Sequence, residues 1–320
     1  MSFSVIIPAY NVSGVVERAI RSAAAQTLPP FEILVIDDCS TDKTVEVVQA
    51  LKREIPSLRL YSTPANGGPA VARNVGLREA KGDWIGLLDA DDAWKPERLQ
   101  RLHEVARATS ADFVADDLVM WDAVADAQFK PNYYNLPESQ KQITLLDMFR
   151  AEDNFNFSKV TYGLMKPICR RAFLVEHKLD YDESLDFAED LVLYVESLLN
   201  GAKIILIDSP YYIYSVPFGR SPHSRTFKDL RKLQRIPDLI SNKYGDRIDA
   251  KVRRAMNNFR KTMVLLLESD VARAYKRSGQ YTRYFTYLAA RPELTWRLVS
   301  RAATTSIGKR LHQVAARGPQ

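Results

Sequence analysis

Polar and acidic side chains follow three separate apolar runs of this 320-residue chain. The segments are residues 8–11 (PAYN), 37–38 (DD) and 89–92 (DADD). In an open α/β sheet, ligands bind beyond the carboxyl ends of the strands, so these segments are expected to meet there. Carboxylates gathered at one edge repel one another unless a positive charge lies among them. Because the candidate ligands are all oxygens, the pattern favours Mn²⁺ or Mg²⁺.

A plainer explanation exists for each acidic residue taken alone. An Asp that follows a strand often serves as a turn residue or as the N-cap of the next helix. Asp42 is interpreted in this way, as a residue of a helix start. Three polar strand ends in one chain favour a shared site over three unrelated turns.

A glycine-rich segment, residues 66–74 (NGGPAVARN), follows a further predicted strand. Gly67 and Gly68 permit close approach of the backbone to a ligand, and the helix that begins there can receive an anion. Arg73 would project from the first turns of that helix. The alternative is a tight turn followed by a solvated arginine.

The apolar runs alternate with helical patterns, and this alternation predicts an α/β sandwich with a mostly parallel sheet. Residues 122–160 lack periodicity and are predicted as loops and short helices over the sheet. The region from about 225 onward is predicted to be helical, with breaks at Pro237, Gly245, Gly279 and Pro292. The predicted strands are 3–8, 31–36, 58–61, 84–88, 113–115 and 204–207, and the predicted helices of the first part are 14–26, 41–54, 69–82, 96–109 and 189–200.

Composition excludes several classes of protein. Apolar residues make up 46% and charged residues 26%, which is ordinary for a globular chain and excludes a disordered or fibrous one. Cys39 and Cys169 are the only cysteines, so a disulfide framework and a cysteine zinc cluster are excluded, and a reduced, cytoplasmic location is expected. No apolar run is long enough to span a membrane, and no secretory leader is predicted.

The charge is distributed unevenly along the chain. Residues 1–220 hold 23 Lys and Arg against 32 Asp and Glu, a net charge of −9. Residues 221–320 hold 22 against 7, a net charge of +15. The basic region either packs as a helical bundle with a solvated face or attaches to an anionic membrane surface.

Two nucleotide-binding motifs are absent. No G-x-G-x-x-G follows the first strand, which excludes the dinucleotide fingerprint, and no G-x-x-x-x-G-K-[ST] occurs, which excludes a P-loop.

Four ordered segments carry a resemblance to a known family. SVIIPAYN, EILVIDDCSTDKT, NGGPAVARNVGL and GDWIGLLDADDAWKPERL resemble the motifs of family-2 inverting glycosyltransferases of the bacterial polysaccharide type. The resemblance spans about residues 3–105 and continues more weakly to about 220. It implies a GT-A fold, which is a Rossmann-like nucleotide-binding domain with a mostly parallel mixed sheet between helices, and here it would carry a C-terminal helical extension. The implied catalytic domain is 1–220, with a donor half at 1–118 and an acceptor half at 119–220, followed by the basic region 221–320.

The resemblance also implies roles in donor binding. Pro8 and Tyr10 would flank the nucleotide base and ribose, and Asp38 would accept a hydrogen bond from the uracil ring. Gly67 and Arg73 would lie near the nucleotide, with Arg73 near the base and diphosphate.

The D-x-D pair of the family corresponds to Asp89 and Asp91. Asp91 would be the direct metal ligand, Asp89 would lie near the ribose and the metal, and Asp92 would assist in the same loop. Cys39 departs from the family pattern, which commonly has Gly there, and a left-handed backbone at this residue would be strained.

The second half must supply a general base. The segment FAEDL resembles the Glu-Asp motif of the family, so Asp190 is expected to deprotonate the acceptor hydroxyl, with Glu189 as its neighbour. The alternative is that both acids only complement the dipole of a helix N-terminus. Arg220 could meet the diphosphate and His223 the metal, or both could lie in a solvated loop.

Aromatic residues of the acceptor half have two interpretations. They could line an acceptor cleft, with Trp94 stacked on the acceptor sugar, or they could simply pack in the core. The residues concerned are Trp94, Trp121, Tyr133, Tyr134 and Phe155.

The expected function is metal-dependent, inverting transfer of a sugar from a nucleotide sugar, with UDP as the expected nucleotide, to a hydroxyl of a saccharide acceptor. The acceptor is expected to be lipid-linked and the product a surface polysaccharide or glycan. A peripheral position on the inner face of the plasma membrane would suit that acceptor. The alternatives are a nucleotidyltransferase of related fold and a basic nucleic-acid-binding protein, although no nucleic-acid partner is expected.

Overall fold

A computed structural model describes residues 2–122, 125, 127–130, 132–150, 162–216 and 227–299. Within these residues, one mixed sheet of ten strands is flanked by helices. This architecture confirms the predicted α/β class. The strands are β1 Phe3–Ala9, β2 Glu32–Asp37, β3 Leu58–Ser62, β4 Trp84–Leu87, β5 Ala93–Trp94, β6 Phe113–Asp122, β7 Ala127–Lys130, β8 Gln140–Ile143, β9 Ile168–Arg170 and β10 Ile204–Val216.

The structure assigns ten α-helices within the described residues. A further helical segment begins at residue 292 and continues to 299. The ten helices are α1 Val16–Ala24, α2 Thr44–Leu51, α3 Gly68–Glu79, α4 Arg98–Thr109, α5 Leu145–Arg150, α6 Arg171–Glu176, α7 Glu189–Leu199, α8 Phe227–Tyr244, α9 Ala250–Arg277 and α10 Tyr281–Ala289.

The strand order is β3-β2-β1-β4-β9-β6-β10-β5, with β7 beside β6 and β8 beside β10. The chain runs outward from β1 through β2 to β3 and then returns to place β4 on the other side of β1. The pairs β3–β2, β2–β1 and β1–β4 are parallel. The carboxyl ends of β1 and β4 therefore flank a topological switch point, where a crevice for a ligand opens.

Burial on both faces explains why the first strands are continuous apolar runs. All six residues of β2 are buried, as are six of the seven residues of β1. The helix α1 covers the sheet with one apolar face, formed by Val16, Ala19, Ile20 and Ala23.

Tertiary packing overrides the predicted helix break at Pro237, which was wrong. Pro237 lies inside α8, which continues to Tyr244. Its neighbours Leu233, Ile236 and Ile240 are buried, and α8 packs against α9. Burial of this apolar face offsets the local cost of a proline inside the helix. The predicted break at Gly279 is confirmed, since this residue has a φ of 71° between α9 and α10.

The C-terminal helices pack on the sheet-bearing part of the chain. The helix α9 contacts α5, where the rings of Phe149 and Phe259 meet edge to face at 5.7 Å, and α8 contacts α7. Buried residues of α8 and α9 belong to the same core cluster as the sheet. The predicted boundary at residue 220 lies outside the described residues and stays a prediction.

A buried ion pair fixes α4 against the middle of the sheet. The guanidinium of Arg98 donates to both carboxylate oxygens of Asp116 on β6, at 2.7 to 3.2 Å, and Arg98 is fully buried. Its guanidinium lies 4.5 Å from the ring of Trp94 and 5.0 Å from that of Tyr212. It also donates to the backbone carbonyl of Lys166. One side chain thus joins α4, β5, β6, β10 and the segment before β9.

Replacing Arg98 by Met is expected to lower the free energy of unfolding by about 3–5 kcal/mol, because the Asp116 carboxylate is left buried without its cation. Urea unfolding followed by circular dichroism measures this change. Arg101→Met is the matched control, since Arg101 forms an exposed pair one turn later in α4. Equal unfolding midpoints for the two variants would contradict the structural role of the pair.

Candidate active site

A cavity of about 340 Å³ opens at the carboxyl ends of β1, β2 and β4. The structure therefore brings together the three polar strand ends that the sequence singled out. Tyr214 and Ser215 of β10 form part of the wall, and Gly68 contributes where Gly67 does not. The predicted residues that line the cavity are Pro8, Tyr10, Asp38, Arg73, Asp89, Asp91 and Asp92.

Asp38 holds the glycine-rich turn in place. Its carboxylate accepts hydrogen bonds from the backbone N–H of Gly67 at 3.0 Å and of Gly68 at 2.7 Å, and from the hydroxyl of Thr63 at 2.7 Å. Gly68 has a φ of 83°, a left-handed conformation that favours glycine. This carboxylate therefore both lines the cavity and caps the turn. The predicted contact of Asp38 with a uracil ring stays a prediction.

The three acids of the D-x-D loop have different surroundings. Asp92 is buried, and its two oxygens accept from the Tyr212 hydroxyl at 2.7 Å and the Ser215 N–H at 2.8 Å. Burial and the neighbouring Asp91 and Asp89 raise the pKa of Asp92 well above its usual range. Asp92 thus ties the loop to β10.

Two cationic side chains, Arg73 and Lys166, bind the Asp89 carboxylate. Its Oδ1 accepts from Arg73 at 2.9 Å, and its Oδ2 lies 2.9 Å from the Lys166 Nζ. Burial alone would raise the pKa of Asp89, but Lys166 and Arg73 outweigh it and hold this pKa well below its ordinary value.

Asp91 is the exposed member of the loop. Its side chain forms no ion pair with any other described residue, and its backbone carbonyl accepts from Arg18. The surrounding protein and the Asp89 carboxylate raise the pKa of Asp91.

Arg73 lies on α3 and joins the donor half to the acceptor half. It is buried, and its guanidinium donates to Glu189 and to Asp89 and lies 3.9 Å from Asp190. The next residue, Asn74, bonds both the N–H and the carbonyl of Tyr181 at 2.8 Å. The predicted alternative of a solvated arginine is excluded by this burial, and Asn74 is a positioning residue that the sequence argument passed over.

Asp190 is the second residue of α7, at the helix end nearest Asp89. Ala188, which precedes the helix, has a φ of 64°, a conformation that is uncommon for a residue other than glycine. The Asp190 Oδ2 accepts from Lys166 at 2.6 Å, and its Oδ1 has no hydrogen-bond partner within the described part of the chain. Asp190 is buried and does not line the cavity itself, but Arg73 and Lys166 each contact both Asp190 and Asp89.

Lys166 is the charged residue of this cluster that sequence reasoning missed. It is buried between Asp89 and Asp190, 77 residues beyond the first and 24 before the second. Burial would lower the pKa of Lys166, but the two carboxylates outweigh it and raise this pKa well above its ordinary value. No motif marks Lys166 in the sequence, so only the antiparallel placement of β9 beside β4 shows its role.

The site contains one carboxylate that suits a metal. Among the described residues no three His, Cys, Asp or Glu side chains are placed to hold an ion. Asp89 and Asp92 have their oxygens engaged by protein donors, so Asp91 is the acid of this loop left to ligate a cation. Mg²⁺ is often bound by one or two carboxylates with waters and substrate phosphates as its other ligands, and this donor set fits that pattern.

Several predicted residues lie elsewhere. Trp94 is buried beneath the site against Arg98, and Tyr133 and Tyr134 are buried as well, with Tyr134 stacked on Tyr162 at 5.6 Å. These three therefore pack in the core, as the second interpretation held. Trp121 is half-buried. Phe155, Arg220 and His223 lie outside the described residues, so their predicted roles stay predictions.

The structure bears on two further local predictions, at Cys39 and at Asp42. Cys39 has a φ of 61°, so the residue that departs from the glycine pattern does adopt a left-handed backbone. Asp42 accepts from the Thr44 N–H at 2.9 Å and from the Ser13 N–H at 3.0 Å, which confirms a role at the start of α2.

An acidic loop held by β10 and by two cationic side chains, a glycine-rich turn and an opposing carboxylate meet at the switch point of an α/β sheet. This arrangement fits a glycosyltransferase of the GT-A fold. A family model described as glycosyl transferase family 2 matches residues 4–160. The succinoglycan biosynthesis protein ExoU of Rhizobium meliloti is 31% identical over 90% of this chain and 83% of its own length. The chain belongs to glycosyltransferase family 2 and is a glycosyltransferase.

A second relative agrees with this assignment, and a solved structure has the same fold. The succinoglycan biosynthesis protein ExoO of Rhizobium meliloti is 36% identical over 67% of this chain, which spans 60% of the length of ExoO. The crystal structure of Staphylococcus aureus TarS in complex with UDP-GlcNAc superimposes with a TM-score of 0.61 at 22% identity and covers 90% of each chain. That likeness supports the fold.

Asp38→Asn is expected to lower the free energy of unfolding by about 1–3 kcal/mol, because an amide NH₂ cannot accept from both backbone N–H groups and the Thr63 hydroxyl. Urea unfolding measures the loss. Asp186→Asn is the matched control, since that carboxylate is 76% exposed. An Asp38→Asn protein as stable as the control would show that the turn does not depend on this carboxylate.

Proposed function

We propose that this protein transfers a sugar from a UDP-sugar to a hydroxyl of a saccharide acceptor, with inversion at the anomeric carbon. The observation that carries the proposal is the pairing of Asp89 with Asp190 through Arg73 and Lys166, which places a D-x-D loop beside a carboxylate with an uncommitted oxygen. Membership of glycosyltransferase family 2 supports the reaction class.

The donor is proposed to occupy the cavity at the strand ends. Pro8, Tyr10 and Asp38 line the part beyond β1 and β2, where the nucleoside would lie. Gly68 and Arg73 line the part at the start of α3, which suits the diphosphate because a helix N-terminus and a guanidinium both attract anions. Gly67 supports that turn through its bond to Asp38. Arg220 is proposed to approach the same diphosphate.

The Asp190 carboxylate is proposed to act as general base. Lys166 occupies Oδ2, so Oδ1 is the oxygen that can take the acceptor proton. As the acceptor oxygen attacks, its bond to the anomeric carbon forms and the bond to the diphosphate breaks, which inverts that carbon. Proton removal by a positioned base contributes typically ~10²–10⁴-fold to the rate.

Asp91 is proposed to bind Mn²⁺ or Mg²⁺ together with the donor diphosphate. A bound divalent cation supplies charge neutralisation on the departing diphosphate. Asp89 and Asp92 hold the backbone around Asp91, Asp89 through its cations and Asp92 through β10. Asp89 and Asp92, which were predicted as metal ligands, are therefore proposed to support Asp91 and not to bind the metal themselves.

Asp190→Asn is expected to keep UDP binding and to lose ~10²–10⁴-fold in transfer, because the amide cannot take the acceptor proton. The measurement is UDP release from a panel of UDP-glucose, UDP-galactose, UDP-N-acetylglucosamine and UDP-glucuronate, beside UDP binding by calorimetry. Glu196→Gln is the control for an acid on the same helix but paired with Lys243 away from the cavity. A fully active Asp190→Asn enzyme would refute the assignment of the base.

Asp91→Asn is expected to abolish the increase in melting temperature that Mn²⁺ gives in the presence of UDP, since the exposed carboxylate is the proposed protein ligand. Thermal unfolding with and without Mn²⁺ measures this, and Asp186→Asn again serves as the control. Unchanged Mn²⁺-dependent stabilisation in Asp91→Asn would place the metal elsewhere.

The acceptor is proposed to be a lipid-linked saccharide that is extended in the synthesis of a bacterial surface polysaccharide. ExoO and ExoU carry names of succinoglycan biosynthesis, and TarS is named a poly(ribitol-phosphate) β-N-acetylglucosaminyltransferase. The first two names support a role in polysaccharide synthesis, and the third names a polymer of ribitol phosphate, which is a polyol phosphate and not a saccharide.

Attachment to the inner face of the plasma membrane is proposed as well. Within the described residues no helix is long and apolar enough to cross a bilayer. Three aromatic side chains at the end of the basic region, Tyr281, Phe285 and Trp296, are more than half exposed. Aromatic side chains beside a net charge of +15 over residues 221–320 suit an anionic interface.

Vesicles that contain phosphatidylglycerol are expected to retain the protein at low salt and to release it at high salt, because the charge attraction is screened. Trp296→Ala is expected to weaken retention in a sedimentation assay, whereas Phe31→Ala, which removes an exposed aromatic from the acidic part, is not. Absence of the wild-type protein from the vesicle pellet at low salt would overturn the attachment.

A further inference from the structure

Lys166 lies between Asp89 of the D-x-D loop and Asp190, the proposed general base. Its Nζ lies 2.6 Å from the Asp190 Oδ2 and 2.9 Å from the Asp89 Oδ2. The side chain is 5% exposed, so these charged contacts form away from bulk water. A buried ammonium group shared by two carboxylates of different segments fixes their relative placement, because leaving any of the three charges unpaired is costly.

The backbone around Lys166 is fixed from two directions. Its carbonyl accepts from the buried guanidinium of Arg98, which is itself bound to Asp116. The carbonyl of Met165 accepts from the Tyr194 hydroxyl at 2.5 Å, and Tyr194 lies on α7, the helix that carries Asp190. The ammonium therefore approaches Asp190 from a segment that is bound both to α4 and to α7.

The Asp190 carboxylate is consequently held by one oxygen. With Oδ2 engaged by Lys166, Oδ1 has no hydrogen-bond partner among the described residues, and Arg73 lies 3.9 Å from it. A buried carboxylate oxygen without a donor is unusual, because such atoms are normally satisfied. Oδ1 is therefore the Asp190 oxygen that still has a vacant acceptor position, and it is buried.

From this geometry we infer that Lys166 is a positioning residue for the reaction, which orients Asp190 toward the acceptor hydroxyl and couples it to Asp89 of the D-x-D loop. The inference rests on the proposed function and assigns a residue to it that lies outside every motif of the sequence. Lys166 acts through Asp190, so its effect on turnover must disappear when Asp190 can no longer act as a base.

The test is a double-mutant cycle on UDP release from the most active donor of the UDP-sugar panel. Lys166→Met is expected to lower kcat by ~10²-fold while the donor KM and the Kd of UDP stay at their wild-type values. In an Asp190→Asn background the same substitution is expected to cause no further loss. Additive losses, or a donor KM that rises in step with a fall in kcat, would overturn the inference.

Lys166→Arg is a second variant that keeps the test usable if Lys166→Met does not fold. The charge is kept, but the guanidinium donates from different positions, so kcat is expected to fall in the wild-type background and to stay unchanged in the Asp190→Asn background. Lys243→Met is the matched control. It removes the ion pair between Lys243 of α8 and Glu196 of α7, the helix that also carries Asp190. A Lys166→Arg enzyme with wild-type kcat would also overturn the inference.

The two proposals fail in distinguishable ways. If Asp190→Asn retains the wild-type kcat, or if the wild-type protein releases UDP from no donor of the panel, the proposed function is wrong. If Asp190→Asn loses turnover and the Lys166 substitutions add their own loss to it, the proposed function stands and only the positioning role is wrong.

Discussion

Compensation of buried negative charge is the constraint on which this site depends. Asp89, Glu189 and Asp190 approach one another with little exposure to water, and two cations, Arg73 and Lys166, lie among them. Without these cations, carboxylates so near to one another and away from water would take up protons or force the segments apart. Arg73 comes from α3 and Lys166 from the segment before β9, so the acids assemble only when these segments have come together.

The core contains another buried carboxylate that is paired with a cationic side chain. Arg98 and Asp116 are both buried, and the guanidinium donates to both Asp116 oxygens, from Nε to Oδ2 and from Nη2 to Oδ1. Arg98 also donates to the carbonyl of Lys166. A core ion pair beneath the site thus fixes the segment that delivers a cation into it. Asp92 performs a comparable task from the other side, since its bonds to Tyr212 and Ser215 attach the D-x-D loop to β10. The positions of Lys166 and of the D-x-D loop therefore depend on polar contacts that lie outside the cluster of charged side chains.

The sequence permitted prediction of the features that are local in the chain. The strand ends, the glycine turn and Asp190 at the start of a helix each carry a pattern within a few residues. Lys166 carries none, because its partners are brought to it by an antiparallel strand between β4 and β6. The aromatic pair Tyr133 and Tyr134 shows the same limit, since composition alone does not distinguish a core ring from one that lines a cleft. Pro237 was mispredicted because burial of its neighbours in α8 outweighs a local preference.

The division of labour among the acids follows from their surroundings. A carboxylate whose oxygens are both engaged by protein donors can position a loop but has little left for a ligand, and Asp92 and Asp89 are of this kind. Asp91 is exposed and its pKa is raised by its surroundings and by Asp89, so an added cation would relieve the repulsion it experiences. A diphosphate entering the cavity brings further negative charge toward Asp91. Under the proposed function, donor and cation would bind together more favourably than either one alone, and the Asp190 Oδ1, which has no hydrogen-bond partner among the described residues, would be left for the acceptor.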